Sequence, residues 1–135
     1  MTDNDTTALI TMILGVGVDI VAISRIERLI EKPRFLERLF TEKERERFEH
    51  IGYIPQTIAG VFAAKEAVSK ALGTGFSGFG MRDIEILPDE YGAPHASLYG
   101  GALARFSHIG GAAIHLSISH ERTHAIAMAV LEGGQ

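Results

Sequence analysis

Residues 57–72 (TIAGVFAAKEAVSKAL) constrain the fold more than any other stretch of this chain. Alanine at 59, 63, 64, 67 and 71, with Val61, Phe62 and Val68 between them, leaves most of a helix's circumference small or apolar. Alanine is the strongest helix former, and a helix apolar on most sides is packed on most sides. The pattern predicts one long central helix with the rest of the chain laid around it, closed by Gly73. Charges inside such a helix, here Lys65, Glu66 and Lys70, are held at a site or an interface.

The surrounding segments alternate strand and helix signals. Residues 14–21 (LGVGVDIV) form an apolar, β-branched run that reads as a buried strand carrying one carboxylate, Asp19, toward its far end. Residues 22–32 follow a helical period. Ala22, Ile23, Ile26, Leu29 and Ile30 make an apolar stripe, Arg25, Arg28 and Lys32 a basic one, and Glu27 and Glu31 an acidic one. Pro33 ends or restarts that helix. A short helix is predicted over 34–39, and Thr41 with Glu44 has capping-box spacing for a charged helix through Phe48. Residues 52–56 break the pattern before the central helix.

After Gly73 come a glycine-rich loop at 73–80 (GTGFSGFG), a strand at 83–87, a turn at 89–92, a strand at 93–98 and a helix at 100–109 capped by Gly110. Residues 113–120 and 123–131 alternate cleanly around Glu121 and Arg122 and read as a terminal hairpin. The order predicts an α+β fold, a compact single domain whose antiparallel sheet packs on the long central helix. Residues 1–12 read as a ragged N-terminal extension, with Met12 an alternative start, and 13–135 as the domain.

Composition removes several function classes. The chain has 135 residues and no cysteine, which excludes disulfides, zinc–thiolate sites and a cysteine nucleophile. A net charge of −4 argues against a broad nucleic-acid footprint. No apolar run approaches the ~20 residues of a membrane-spanning helix, and the polar start lacks the basic and apolar regions of a signal peptide. The expected partners are neither nucleic acid nor membrane, and the expected compartment is the cytoplasm.

The chemistry-bearing residues each carry two readings. Asp19 is either a strand-end residue capping the next helix or, with a second oxygen ligand from elsewhere, part of a metal site. Glu66 is the best second ligand. Its alternative is a surface pair with Lys70 at i+4, a stabilisation of ~0.2–0.5 kcal/mol. Gly73, Thr74 and Gly75 can turn backbone N–H groups toward an anion, although a helix C-terminus repels one, so a phosphate there needs Lys70 or another cation. His120 ends the strand IHLSISH and is either structural or catalytic. No nucleophile-elbow, Walker or dinucleotide-binding spacing is present. Arg25, Arg28, Arg34 and Arg38 read either as a landing strip for an acidic partner or as a solvated face, since Glu27, Glu31, Glu37, Glu42, Glu44 and Glu46 intersperse them.

Three motifs in order, GVGVDIV at 15–21, VFAAKEAVSKALGTG at 61–75 and HLSISHERTHAIAMAVLE at 115–132, resemble holo-acyl-carrier-protein synthase, the small bacterial class of 4′-phosphopantetheinyl transferase. DIEIL at 83–87 and YGAPHASL at 91–98 add to the resemblance, which spans nearly the whole chain. It implies Mg²⁺, with Mn²⁺ as a substitute, held by Asp19 and Glu66. It implies that coenzyme A phosphates lie near Lys65, Ser69, Lys70, Gly73, Thr74 and Gly75. Catalysis would rest on Glu66, Lys70 and Asp19, with His120 second to Glu66 as base. An acyl carrier protein would dock on Arg25, Arg28, Arg34, Phe35 and Arg38. The implied product is holo-acyl carrier protein for fatty acid biosynthesis, made by a homotrimer with sites between subunits. The alanines at 125, 127 and 129 are compatible with such packing. One position departs from the family: Val61 stands where many relatives have arginine, and Lys65 and Arg45 are the candidates to replace it. A nucleotide phosphohydrolase on the same scaffold and a non-catalytic carrier-binding subunit are the two competing readings.

Overall fold

The computed structural model describes residues 10–134. In chain order the elements are β1 (Thr11–Ala22), α1 (Ile23–Ile30), α2 (Phe35–Leu39), α3 (Glu42–His50), α4 (Pro55–Ala71), a 3₁₀ turn (Met81–Asp83), β2 (Ile84–Pro88), β3 (Pro94–Leu98), α5 (Gly100–His108), β4 (Gly111–His120) and β5 (His124–Gly134). The α+β reading is correct, and α4 is the central helix. It begins at Pro55, two residues earlier than the pattern predicts, because proline's fixed φ suits the first helical position and its missing N–H costs nothing there. The capping box forms as spaced. The Glu44 amide donates to the Thr41 hydroxyl and the Thr41 amide to Glu44 Oε1.

β1, β5 and β4 form an antiparallel sheet in that order, with β5 in the middle, and β2 and β3 form a separate two-stranded ladder. The terminal hairpin pairs His120 with Ala125 and Ile118 with Ala127. Across β5, Val21 faces Ala125, Asp19 faces Ala127 and Gly17 faces Ala129. The first strand is longer than expected: Thr11 and Met12, read as extension, pair with Gly134 and Gly133. Ile10 of the predicted extension is exposed ahead of β1, and residues 1–9 lie outside the described residues.

Alternation along the strands sorts the sheet's two faces. Ala125, Ala127, Ala129 and Leu131 are at most 1% exposed and lie against α4, which is buried from Ile58 to Val68 except at Glu66. The alanine face is therefore the inner one, covered within the chain, and is not a surface for other subunits. The opposite face carries Val16, Val18, Ile20, Ile126 and Met128, 42–62% exposed. Edge-to-face contacts of Phe40 with Phe35 and Phe48, centroids 5.9 and 5.0 Å apart, tie α2 to α3 beside α4.

Candidate active site

The two glycines of GVGVD bring a strand onto a helix. A β-carbon at Gly15 would lie 2.0 Å from the Ala71 carbonyl oxygen, and one at Gly17 would lie 1.9 Å from that of Ala67. Only glycine permits so close an approach, and the alanines of α4 meet it from the other side. Asp19 follows two residues later on the same face of β1, so backbone contact between β1 and α4 sets its position over α4. Asp19 is 17% exposed and accepts from Lys70 Nζ at 2.9 Å, while Lys70 also donates to the Val18 carbonyl at 3.0 Å.

Lys70 is thus engaged by β1. The i,i+4 alternative for Glu66 does not form among the described residues. Glu66 is half-buried, and its carboxyl holds its proton more tightly than usual because burial penalises its charge and Asp19 repels it; Lys70 and Arg25 partly offset this. Two carboxylates that repel one another across a strand–helix contact make a hard-oxygen pair suited to a divalent cation. No third acidic or imidazole ligand joins them among the described residues. Two carboxylates alone would leave the remaining positions of a hard divalent cation to substrate and water.

Lys65 has a different task from the expected one. Its side chain is wholly buried, 2.7 Å from Glu44 Oε1, and it donates to the carbonyls of Met81 at 2.9 Å and Ile84 at 2.6 Å. All three ammonium hydrogens are accounted for, so Lys65 has none for a coenzyme A phosphate. Glu44 Oε2 accepts from the Ile86 amide at 2.6 Å. Burial pushes the Glu44 carboxyl up and the Lys65 ammonium down. Every partner of the carboxylate is a donor, which keeps the pair ionised. Ser69 is likewise 1% exposed, and its hydroxyl donates to the Glu66 carbonyl at 2.8 Å within the helix. It is turned into α4 and not toward a ligand.

A groove of about 450 Å³ opens beside Glu66, lined by Arg25, Lys32 and Arg38 over an apolar floor of Leu29, Phe62 and Met81. The Arg25 guanidinium sits 5.4 Å from the centre of the Phe62 ring. Arg28 and Arg34 are exposed but lie outside this groove, and Lys32 takes the place expected of them. Phe35 contributes only its edge, since it is 9% exposed and packed on Phe40.

The exposed Gly73 and Thr74 and the half-buried Gly75 follow the end of α4. Arg105 of α5 donates from Nε to the Leu72 carbonyl at 2.9 Å and lies beside Gly73. A cation there offsets the negative end of the helix, and nothing in the sequence of helix 100–109 marks Arg105 as doing so. His120 does not join Asp19 and Glu66. It lines a separate cleft of about 200 Å³ with Arg47, Gln56 and Thr57. Arg47 escapes a reading of the sequence because it is one of many charges in EKERER, where no local contrast singles it out.

Known proteins share both sequence and fold with this chain. Residues 15–129 match the model of the 4′-phosphopantetheinyl transferase superfamily. A holo-[acyl-carrier-protein] synthase of Clostridium tetani is 50% identical over 123 residues, 90% of this chain and 98% of that protein. One of Clostridium novyi is 55% identical over 122 residues, 90% of this chain and 88% of that protein. The solved structure of a Bacillus anthracis holo-(acyl-carrier-protein) synthase in complex with CoA (3′,5′-ADP) superposes with a TM-score of 0.77 at 38% identity, covering 90% of this chain and 98% of that one. A Plasmodium yoelii acyl carrier protein synthase with ADP bound gives 0.84 at 35% identity, covering 93% and 99%. Likeness of this extent establishes kinship, and the chain belongs to the 4′-phosphopantetheinyl transferase superfamily, among its holo-[acyl-carrier-protein] synthases.

Proposed function

We propose that this chain transfers the 4′-phosphopantetheine arm of coenzyme A to a serine of an apo-acyl carrier protein, releasing adenosine 3′,5′-bisphosphate, with Asp19 and Glu66 as the protein ligands of Mg²⁺. The observation that carries the metal assignment is the half-buried Glu66 close enough to Asp19 to feel its charge, its carboxyl pushed up first by burial and then by repulsion from Asp19. Mg²⁺, when bound, supplies positive charge against the phosphate oxygens. Lys70, anchored on Asp19 and the Val18 carbonyl, keeps one ammonium hydrogen for a phosphate oxygen. Glu66 would accept the proton of the attacking serine hydroxyl, the role of a positioned carboxylate base. Phosphoryl transfer rests mainly on such positioning and charge stabilisation.

The basic, apolar-floored groove beside Glu66 supports docking of an acidic carrier helix, with Arg25 between groove and carboxylates. The exposed face of Val16, Val18, Ile20, Ile126 and Met128 supports assembly through the sheet, because a patch of that kind marks an interface. Three copies around it make the homotrimer. The separation of the Asp19–Glu66 pair from the His120 cleft supports sites shared between subunits.

Intact-mass analysis of apo-carrier protein after incubation with this chain, coenzyme A and Mg²⁺ tests the activity. The expected result is a gain equal to one phosphopantetheine. An unchanged carrier refutes it, and release of nucleotide without a carrier points to the phosphohydrolase instead.

A further inference from the structure

The C-terminal end of α4 is electrically the wrong place for a phosphate. A helix of 17 residues carries about half a negative charge at that end. Yet the turn that follows can receive an anion. Gly73 and Gly75 have positive φ, 86° and 59°. The Gly73 amide is spent on the Lys70 carbonyl at 3.0 Å, while the amides of Thr74, Gly75 and Phe76 donate to no backbone carbonyl among the described residues. Free amides in such a turn attract an anion, the helix end repels it, and a cation settles the balance. Lys65 is buried on Glu44 and two carbonyls. Lys70 reaches back to Asp19 and the Val18 carbonyl.

Arg105 reaches this end from α5. Its Nε donates to the Leu72 carbonyl at 2.9 Å, and its Nη2 would lie 3.4 Å from a β-carbon built on Gly73. Neither α5 nor residues 73–80 contain an acid, and Arg105 forms no ion pair among the described residues. α5 also holds the far part of the loop, because a β-carbon on Gly101 would lie 2.2 Å from the Gly78 carbonyl oxygen. Between these two holds Phe76 packs edge-to-face on Phe79, centroids 5.6 Å apart. The glycine loop is thus clamped on α5.

We propose that Arg105 is a positioning residue for the transfer reaction. By holding the Leu72 carbonyl it fixes the turn after α4 and offsets the negative helix end, so that the free amides of 74–76 can face a phosphate of coenzyme A. This assignment rests on coenzyme A being the substrate. It goes beyond that reading by giving the task to a residue on α5, outside every motif of the resemblance, that acts through the loop.

Calorimetry with coenzyme A and Mg²⁺, competition by inorganic pyrophosphate, and transfer kinetics test it together. Arg105→Met keeps much of the side chain's length without its charge. It should weaken both coenzyme A and pyrophosphate about fivefold, the scale of a charge at a helix terminus. KM for coenzyme A should rise by the same factor, with KM for the carrier protein unchanged. Raising salt from about 0.05 to 0.5 M should shrink the difference from wild type, because screening weakens a charge effect and not a packing one. Arg105→Lys should recover most of the affinity. Lys43→Gln, which removes an exposed lysine of α3, should leave coenzyme A affinity unchanged. Thermal unfolding accompanies each variant, and Arg105→Gln repeats the comparison if the methionine variant does not fold. Wild-type affinity in Arg105→Met, a loss independent of salt, or equal loss for coenzyme A and carrier overturns the assignment. A wild-type chain that binds coenzyme A but modifies no carrier refutes the transferase, and the binding comparison still decides the role of Arg105.

Discussion

Replacing Lys65 with methionine separates a structural from a catalytic lysine. Methionine keeps most of the length and apolar volume of the side chain but removes the ammonium. Glu44 then stays buried with only the Thr41 and Ile86 amides against it, and the carbonyls of Met81 and Ile84 lose their donor. Removing one partner of a buried pair costs about 3–5 kcal/mol, because the other charge is left uncompensated. A domain of this kind is stable by about 5–15 kcal/mol in total. At about 2–4 °C per kcal/mol, the scale for a domain near this size, the melting temperature should fall by roughly 6–20 °C. Urea unfolding followed by circular dichroism at fixed protein concentration measures the loss, and an unchanged slope shows that the unfolded state is not what moved. Adding Glu44→Gln to Lys65→Met should restore part of the stability, since the neutral amide still accepts a backbone hydrogen bond and no longer buries an unpaired charge. KM for coenzyme A, measured where the variant is folded, should not change. A Lys65→Met protein with the wild-type urea midpoint and a raised KM for coenzyme A would refute this reasoning and return Lys65 to the phosphate.

Four further outcomes follow from the site. Glu66→Gln should lower kcat/KM by at least about a hundredfold, the scale of losing one electrostatic stabiliser. It should also stabilise the metal-free protein at neutral pH. The folded chain binds the Glu66 proton more tightly than the unfolded one, so the wild type loses stability as pH rises from about 4.5 through the folded value. The variant's advantage in melting temperature should therefore vanish in acid, and its persistence at low pH would refute the cause. Gly17→Ala places a β-carbon against the Ala67 carbonyl. It should cost about 1–3 kcal/mol by overpacking, and transfer should fall further than stability, because Asp19 shifts with β1. Arg25→Glu should raise KM for the carrier protein more than KM for coenzyme A, and an equal rise would count against the groove as its docking surface. Ile126→Asp on the outward sheet face should lower the mass measured by sedimentation to that of a smaller assembly, while a monomeric wild type would refute the interface.

Much of the frame is legible in the chain because it depends on near neighbours. The alanines of 57–72, the Thr41–Glu44 box and the alternation around Glu121 act over a few residues, and each element stands within a few positions of its prediction. Asp19 and Glu66 stand out for a similar reason: each is a charge in an apolar context. The longer β1 and the earlier start of α4 were harder to read, since Thr11 has no meaning as a strand residue until Gly134 pairs with it.

The partners of the charges are another matter. Within α4, Lys65, Glu66 and Lys70 look like one surface cluster, yet the fold sends them three ways. Lys65 pairs inward with Glu44, Lys70 pairs across to Asp19, 51 residues away in sequence, and Glu66 is left facing both Asp19 and the groove. A local i,i+4 attraction of about 0.2–0.5 kcal/mol cannot hold against a buried, hydrogen-bonded partner. Which partner arrives depends on the strand and helix that cross α4, and crossing is a property of packing. The sequence by itself determined that a carboxylate ends an apolar strand and another interrupts an apolar helix. Only the tertiary structure decided that two glycines let that strand lie on that helix, which makes the two carboxylates a pair.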